Sequence, residues 1–235
     1  MNSIDRYFGV TASGSTFARE ASGGATTFFT MCYIIFVQPA VLSAVGMDFG
    51  SVMTATCLSS AFATLLMGVL ARYPIALGPA MGHNFFFVYT VVLTMGIKWE
   101  IALGAVFISG VLFIILSFLG FREKVVESVP DSLKQAIAAG IGLLIALVGL
   151  EWSGLVVAMP GTFIGLGELG SPPVLLTLFG LTVISSLMAL KVRAAILIGI
   201  ASSLVASLIF GMSSFDGIIA MPPSIAPTFL KLDIW

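Results

Sequence analysis

Tyr73-Pro-Ile-Ala-Leu-Gly-Pro-Ala-Met-Gly-His-Asn-Phe-Phe-Phe-Val-Tyr-Thr-Val-Val92 places two prolines, two glycines, the only histidine and an asparagine inside an apolar run of bilayer-spanning length. Pro74 and Pro79 remove backbone donors and resist helix. Gly78 and Gly82 allow unusual backbone angles and close approach. From Asn84 onward the pattern is smoothly helical. The stretch predicts an extended segment, roughly Ile75 to Pro79, feeding a half-helix that starts near Gly82. Irregular backbone at membrane depth survives only where protein or a water-filled cavity covers it. Half-helix N-termini at the midplane are a recurring device for substrate sites in secondary transporters.

The surroundings fit that reading. The 235-residue chain is 59% hydrophobic and 9% charged, with a mean hydropathy of +1.14. Soluble domains carry about 25% charged residues. The chain therefore reads as an all-α integral membrane protein. A net charge of −1 leaves no basic footprint for nucleic acid. Cys32 and Cys57 lie in apolar segments and read as buried free thiols rather than a disulfide framework. The first twenty residues hold Asp5, Arg6, Arg19 and Glu20 without an apolar run, which reads as no cleavable signal peptide. Ile4, Tyr7 and Phe8 share a face if helical, suggesting a short helix on the membrane surface.

Seven segments reach spanning length: about Ala25–Val45, Ser51–Leu70, Ile75–Met95, Ile101–Leu119, Gln135–Leu150, Pro173–Leu190 and Ala194–Phe210. A polar connection, Phe121–Lys134, follows the fourth, a Gly-rich loop, Glu151–Pro172, follows the fifth, and a Pro-rich tail runs from Gly211 to Trp235. With the N-terminus inside, alternation puts Arg6, Arg19, Arg72, Arg122, Lys124, Lys134, Lys191 and Arg193 inside and only Lys98 and Lys231 outside. That is a clear positive-inside bias. The broken third segment must then cross completely, and the odd count sends the C-terminus outside. A following copy of this unit would insert upside down, the layout of inverted repeats.

No catalytic constellation is legible: there is no Ser/His/Asp set, no Cys-x-x-Cys, no phosphate-cradling loop and no His-Glu-x-x-His. The chain reads as no enzyme, with no cofactor and no metal. No span carries an acidic residue in its middle; Glu151 sits at the end of the fifth. Coupled transport usually shows such a group, because an intramembrane charge is costly and kept for function. The 235 residues thus read as incomplete for coupled transport.

Asn84, at the first turn of the half-helix, is the leading site candidate, weighed against a cap or interhelical bond. His83 could meet a ligand or bond a neighbouring helix. Phe85, Phe86, Phe87 and Tyr89 could stack on a flat ring, with one or two at most facing a ligand. Thr26, Thr27 and Thr30 read as back-bonded to helix carbonyls, and Gln38-Pro39 as a kink in the outer first span. Gly104, Ser109, Gly110, Gly140 and Gly142 read as close helix packing. Arg122, Glu123, Lys124 and Glu127 read as a solvated face with i,i+4 pairs.

Several stretches together resemble one family. Thr26-Thr-Phe-Phe-Thr-Met-Cys-Tyr-Ile-Ile-Phe-Val-Gln-Pro39, Ala55-Thr-Cys-Leu-Ser-Ser60, Tyr73 through Asn84, and Ala102-Leu-Gly-Ala-Val-Phe-Ile-Ser-Gly110 carry the likeness. Ala139-Gly-Ile-Gly-Leu143, Ser171-Pro-Pro173 and Pro227-Thr-Phe-Leu-Lys-Leu-Asp233 extend it. From about Phe17 the chain is similar to the N-terminal half of hypoxanthine/guanine (purine) permeases. These form the azaguanine-type branch of the nucleobase–cation symporters (the xanthine/uracil permease family).

The resemblance implies a fourteen-span fold of two inverted seven-span repeats, the third segment of each pairing a short strand with a half-helix. Here residues 1–24 would be a cytoplasmic segment and 25–120 half of a core domain. Residues 121–211 would be half of a gate domain, and 212–235 an outward tail leading to a second repeat. The implied substrate is a purine nucleobase (hypoxanthine or guanine, with adenine and xanthine in the same class), taken up with a proton or sodium across the cell inner membrane. The implied substrate-site residue is Asn84, and Met81, Gly82, His83, Phe85 and Thr27 complete the candidate set. The family's acidic residues in spans eight and ten fall outside this sequence.

Two departures touch the site: Pro79-Ala-Met-Gly-His-Asn84 stands where the family has close to Pro-Gly-Met-Gly-Leu-Asn, and Gln38-Pro39 where Asn-Pro is usual. The resemblance also makes the chain a truncated unit, expected to be inactive alone, because the short strand's edge would lack its partner. Rival readings are an inverted pair of half-chains, which the charge bias opposes, and a non-transporting membrane interaction protein or seven-span receptor. An anion (sulfate-type) permease of the same fold would favour a basic residue between Tyr73 and Lys98, where there is none.

Overall fold

A computed structural model describes residues 3–120, 127–192, 194–214 and 221–234. It is mostly helical. In chain order the helices are α1 (Ser3–Phe8), α2 (Phe17–Met31), α3 (Ile34–Ser43), α4 (Phe49–Leu66), α5 (Met81–Phe85), α6 (Trp99–Phe118), α7 (Asp131–Trp152), α8 (Pro172–Ala189) and α9 (Ala195–Ile209). Helix α4 runs on as wider π-type turns over Met67–Ala71, and α5 does the same over Phe86–Thr94. Among the described residues, five stretches are long and apolar enough to cross a membrane: Phe17–Ser43, Phe49–Ala71, Trp99–Phe118, Asp131–Trp152 and Pro172–Ala189. Met81–Thr94 and Ala195–Ile209 are shorter apolar helices. At most 17% of the most apolar window of each long stretch is buried, so these apolar faces point outward.

The chain forms two compact units. One comprises Met1–Val37, Met53–Pro79 and Gly170–Pro222; the other comprises Gln38–Val52, Ala80–Leu169 and Pro223–Trp235. In the first unit α8 and α9 pack closely. Small residues make this possible: a Cβ on Gly199 would collide with Ile184, and one on Gly180 would come within 2.5 Å of the Ser203 hydroxyl. The π-type turns after α4 end at Arg72, which adopts the left-handed conformation at φ 54. A non-glycine residue held there needs support. The Arg72 guanidinium lies 4.4 Å from the centre of the Tyr7 ring. The Tyr7 hydroxyl in turn donates to the Val69 carbonyl at 2.8 Å. Helix α1 is thereby tied to the end of α4.

Beyond Arg72 the backbone leaves regular structure until Met81. Pro74 and Pro79 bring no donor, and Leu77 finds its partner in a side chain. The Thr64 hydroxyl accepts from the Leu77 N–H at 2.9 Å and donates to the Leu77 carbonyl at 3.3 Å. One threonine therefore serves both backbone groups of a residue that no helix or ladder satisfies. Gly78 lies against Met31 and Ile34, where an added Cβ would come within 3.0 Å of Met31.

Several expectations change. The first apolar segment breaks at Cys32–Tyr33 rather than at Gln38-Pro39. Pro39 sits inside α3, which restarts at Ile34, and it cannot donate to the Ile35 carbonyl four residues back. Gly110, Gly140 and Gly142 have nothing within 4 Å of an added Cβ, so they are not sites of close packing, whereas Gly104 is packed by backbone of the Pro223–Asp233 tail rather than by a helix. The same tail holds Gly50 against Pro223 and donates from Asp233 N–H to the Glu100 carbonyl at 2.9 Å. Cys32 is half-buried and Cys57 exposed, both as free thiols, because Cys57 faces outward from an apolar helix.

The Gly-rich loop contains an antiparallel hairpin, β1 (Val156–Met159) with β2 (Phe163–Leu166), in register from Val156↔Leu166 to Met159↔Phe163. Pro160-Gly161-Thr162 turns it, with Gly161 at φ 97. Residues 121–126, which include Arg122, Glu123 and Lys124, and Arg193 lie outside the described residues, as does the Ile4 side chain.

Near the N-terminus the Thr11 hydroxyl and N–H both donate to the Asp5 carboxylate, at 2.5 and 2.9 Å. The hydroxyl first, and then the backbone bond, holds Asp5 below its ordinary value of 3.8. A lowered folded-state value means this contact stabilises above the unfolded value and is lost as pH falls through the folded one. In carboxyl-carbon NMR of the labelled protein, Asp5 should titrate below 3.8 and Thr11→Val should move its midpoint upward; an unmoved midpoint would refute the cause. Thr64→Val should lower thermal stability by about 1–3 kcal/mol through the orphaned Leu77 groups, while Thr64→Ser stays near the parent. Gly104→Ala should cost about 1–3 kcal/mol by displacing the tail, against little for Gly110→Ala, both read by thermal melts in detergent.

Candidate functional site

Ala80 is extended, at φ −81 and ψ 103, and the chain turns into α5 at the next residue. The Ala80 carbonyl receives the N–H groups of His83 at 3.2 Å and Asn84 at 3.4 Å, closing the first turn. The amides ahead of them have no intrahelical partner, as at any helix start. Pro79 lies just outside the helix and disfavours helical backbone in the residue before it, so the run stays extended up to the cap at Ala80.

Three faces of this half-helix do different things. Met81, Phe85 and Val88 are buried at helical spacing, 7%, 4% and 0% exposed. Phe85 stacks on Tyr89, with ring centres 6.2 Å apart, and meets the edge of Trp152 at the end of α7 at 6.5 Å. On a second face Gly82, His83 and Phe86 line an open cavity of about 400 Å³ with Ile137, Gly140, Ile141 and Leu144 of α7. Gly82 permits the approach of α7, since an added Cβ would lie 3.3 Å from Ile141. The wall is apolar except for the imidazole. A flat, weakly polar ring suits such a surface.

The third face carries Asn84. Its Nδ2 donates to Oε1 of Gln38, reaching across 46 residues of sequence. Gln38 is 7% exposed and Asn84 half-buried. The residue before Pro39 thus delivers a buried carboxamide to the start of the broken segment. A buried amide left without a partner costs about 1–3 kcal/mol, so the pair fixes both side chains.

Of the candidate residues, Met81, Gly82, His83, Asn84 and Phe85 share this first turn, with Gly82 and His83 on the cavity and Asn84 on the face toward Gln38. Thr27 belongs to the other unit, where its hydroxyl donates to the Gly23 carbonyl at 2.9 Å. Thr26 and Thr30 bond the carbonyls of Ser22 and Thr27 in the same way. Sequence reading missed Gln38 as a site partner and Phe86 and α7 as cavity walls. The Gln-Pro dipeptide was the available signal for Gln38: a polar amide beside a proline that removes a donor inside an apolar helix.

The permease family designated Xan_ur_permease matches residues 18–234. A Methanocaldococcus jannaschii protein named only as a permease is 52% identical over 100% of the chain and 54% of its own length. The guanine/hypoxanthine permease PbuG of Bacillus subtilis is 47% identical over 95% of the chain and 53% of its own length. The adenine permease AdeP of Escherichia coli is 37% identical over 98% of the chain and 52% of its own length. The chain spans about half the length of the curated relatives it matches. With the apolar helices, these matches identify a multi-pass membrane protein, and the chain belongs to this permease family, within its azaguanine-type branch.

Proposed function

We propose that the chain forms one seven-segment inverted repeat of a purine nucleobase permease, working with a second repeat by alternating access. The substrates are hypoxanthine and guanine, with adenine and xanthine in the same chemical class. The observation that carries this reading is the half-helix opening at Met81 with Asn84 in its first turn, in a chain whose relatives are named as guanine/hypoxanthine and adenine permeases. A carboxamide matches the donor–acceptor edge of a purine. His83, the neighbouring residue on the turn, edges the apolar cavity that Phe86 also lines, on a different face from Asn84. Met81 and Gly82 contribute backbone N–H groups at the helix start, and buried Phe85 fixes the turn. Thr27, whose hydroxyl bonds its own helix, enters only as a second-rank contact.

Length supports the third segment as a full crossing. Fourteen helical residues from Met81 to Thr94 span at most about 21 Å at the α-helical 1.5 Å each, less where the turns widen over Phe86–Thr94. Five extended residues from Ile75 to Pro79 have a contour of roughly 16 Å, so the contour length of the segment is sufficient for a hydrocarbon core of about 30 Å. Charge sorting supports a cytoplasmic N-terminus in the cell inner membrane. In this arrangement 25–120 are half of a core domain, 121–211 half of a gate domain, and 212–235 face outward. Coupling to a proton or sodium requires an acidic group that the spans of this chain do not carry in their middles. The second repeat, on the same polypeptide or in a partner chain, supplies it.

The test is uptake of radiolabelled hypoxanthine by cells without their own purine permeases, expressing a permease that contains this chain. Uptake should be inhibited by excess guanine and not by sulfate. Asn84→Ala should lower it at least tenfold at equal membrane abundance, the cost of one hydrogen bond and its orphaned partner. Unchanged uptake by Asn84→Ala would refute the site.

A further inference from the structure

We propose that Gln38 is a positioning residue that sets which end of the Asn84 carboxamide a purine meets; this rests on the purine-site reading of Asn84. An asparagine amide presents a donor and an acceptor at nearly the same place, and a half-turn of the side chain exchanges them. A ligand edge with an N–H needs the oxygen, whereas an edge with a bare ring nitrogen needs the NH₂. Something must hold the amide if the site is to choose between them.

Gln38 is placed to do this. It is more than nine-tenths buried, it comes from a different helix, and its Oε1 accepts from Asn84 Nδ2. With Gln38 presenting Oε1, turning the Asn84 amide over would bring two carbonyl oxygens together and leave a buried acceptor unpaired, a cost of about five- to 150-fold in population. Asn84 Oδ1 is therefore the end left for a ligand. Pro39 pins the backbone under Gln38 at fixed φ and is itself fully buried, so the side chain starts from a defined point. The chemical class that fits an outward oxygen is a six-oxopurine with its lactam N–H, in preference to a six-aminopurine whose ring nitrogen at that position is an acceptor.

The experiment compares Gln38→Leu and Gln38→Glu with the parent in a permease containing this chain. It measures the apparent affinities for hypoxanthine and adenine by competition against radiolabelled hypoxanthine, at matched membrane abundance. Gln38→Leu removes the acceptor and should reduce the hypoxanthine-over-adenine ratio about tenfold, with a smaller change in maximal rate. Gln38→Glu keeps an oxygen acceptor at the same reach and should keep the parent ratio. A parent ratio in both variants, with Asn84→Ala inactive, would overturn the role of Gln38 and leave the site standing. A fall in rate with the ratio unchanged would likewise make Gln38 merely structural. Full uptake by Asn84→Ala would refute the underlying site instead.

Discussion

The backbone between Arg72 and Met81 is what the rest of the site depends on. It cannot be helical, because Pro74 and Pro79 remove two donors and Arg72 has already turned the chain out of α4 at φ 54. In an apolar setting every remaining peptide group needs a partner. Thr64 meets the need at Leu77 with one hydroxyl acting in both directions. Gly78 lets Met31 and Ile34 close over the strand-like run. These devices hold the run extended up to Pro79; the next helix starts at Met81 with its first amides free of intrahelical partners.

That start is useful only if its side chains are fixed, and the second unit supplies the means. Phe85 stacks on Tyr89 of its own segment and meets Trp152 of α7, and the Trp152 contact sets the rotation of the half-helix. The rotation then turns Gly82, His83 and Phe86 to the cavity along α7 and Asn84 to Gln38. Binding selectivity for a small flat ligand depends on such pre-set polar groups more than on area, since an orphaned polar partner is costly. The proline after Gln38 and the prolines before Met81 thus act alike: each breaks regular hydrogen bonding where a side-chain amide or a helix end must be presented.

Much of this was legible in the chain itself. The broken segment was readable because Pro74, Gly78, Pro79 and Gly82 are local signals, and the helix starts within one residue of Gly82. Apolar runs located the long helices to within a few residues, apart from the first, where the break moved to Cys32–Tyr33. The hairpin at Val156–Leu166 was hidden by its glycines, although Pro160-Gly161 between two β-branched or apolar runs is a turn signal. What sequence could not reveal were long-range partners. Thr64 and Leu77 lie 13 residues apart and Gln38 and Asn84 lie 46 apart, and in each case the donor's residue type permits many acceptors. Small residues misled for a related reason: Gly104 and Gly140 look alike in sequence, yet one touches a tail backbone and the other lines open space.

The central claim is that the ligand's polar edge sits against the first turn of the half-helix. The most direct measurement is a structure, with hypoxanthine bound, of a permease that contains this chain. The account predicts a purine nitrogen within about 2.7–3.2 Å of Asn84 Oδ1, with Asn84 Nδ2 still bonded to Gln38. A purine held elsewhere, with the Asn84–Gln38 pair sealed away from it, would contradict the account.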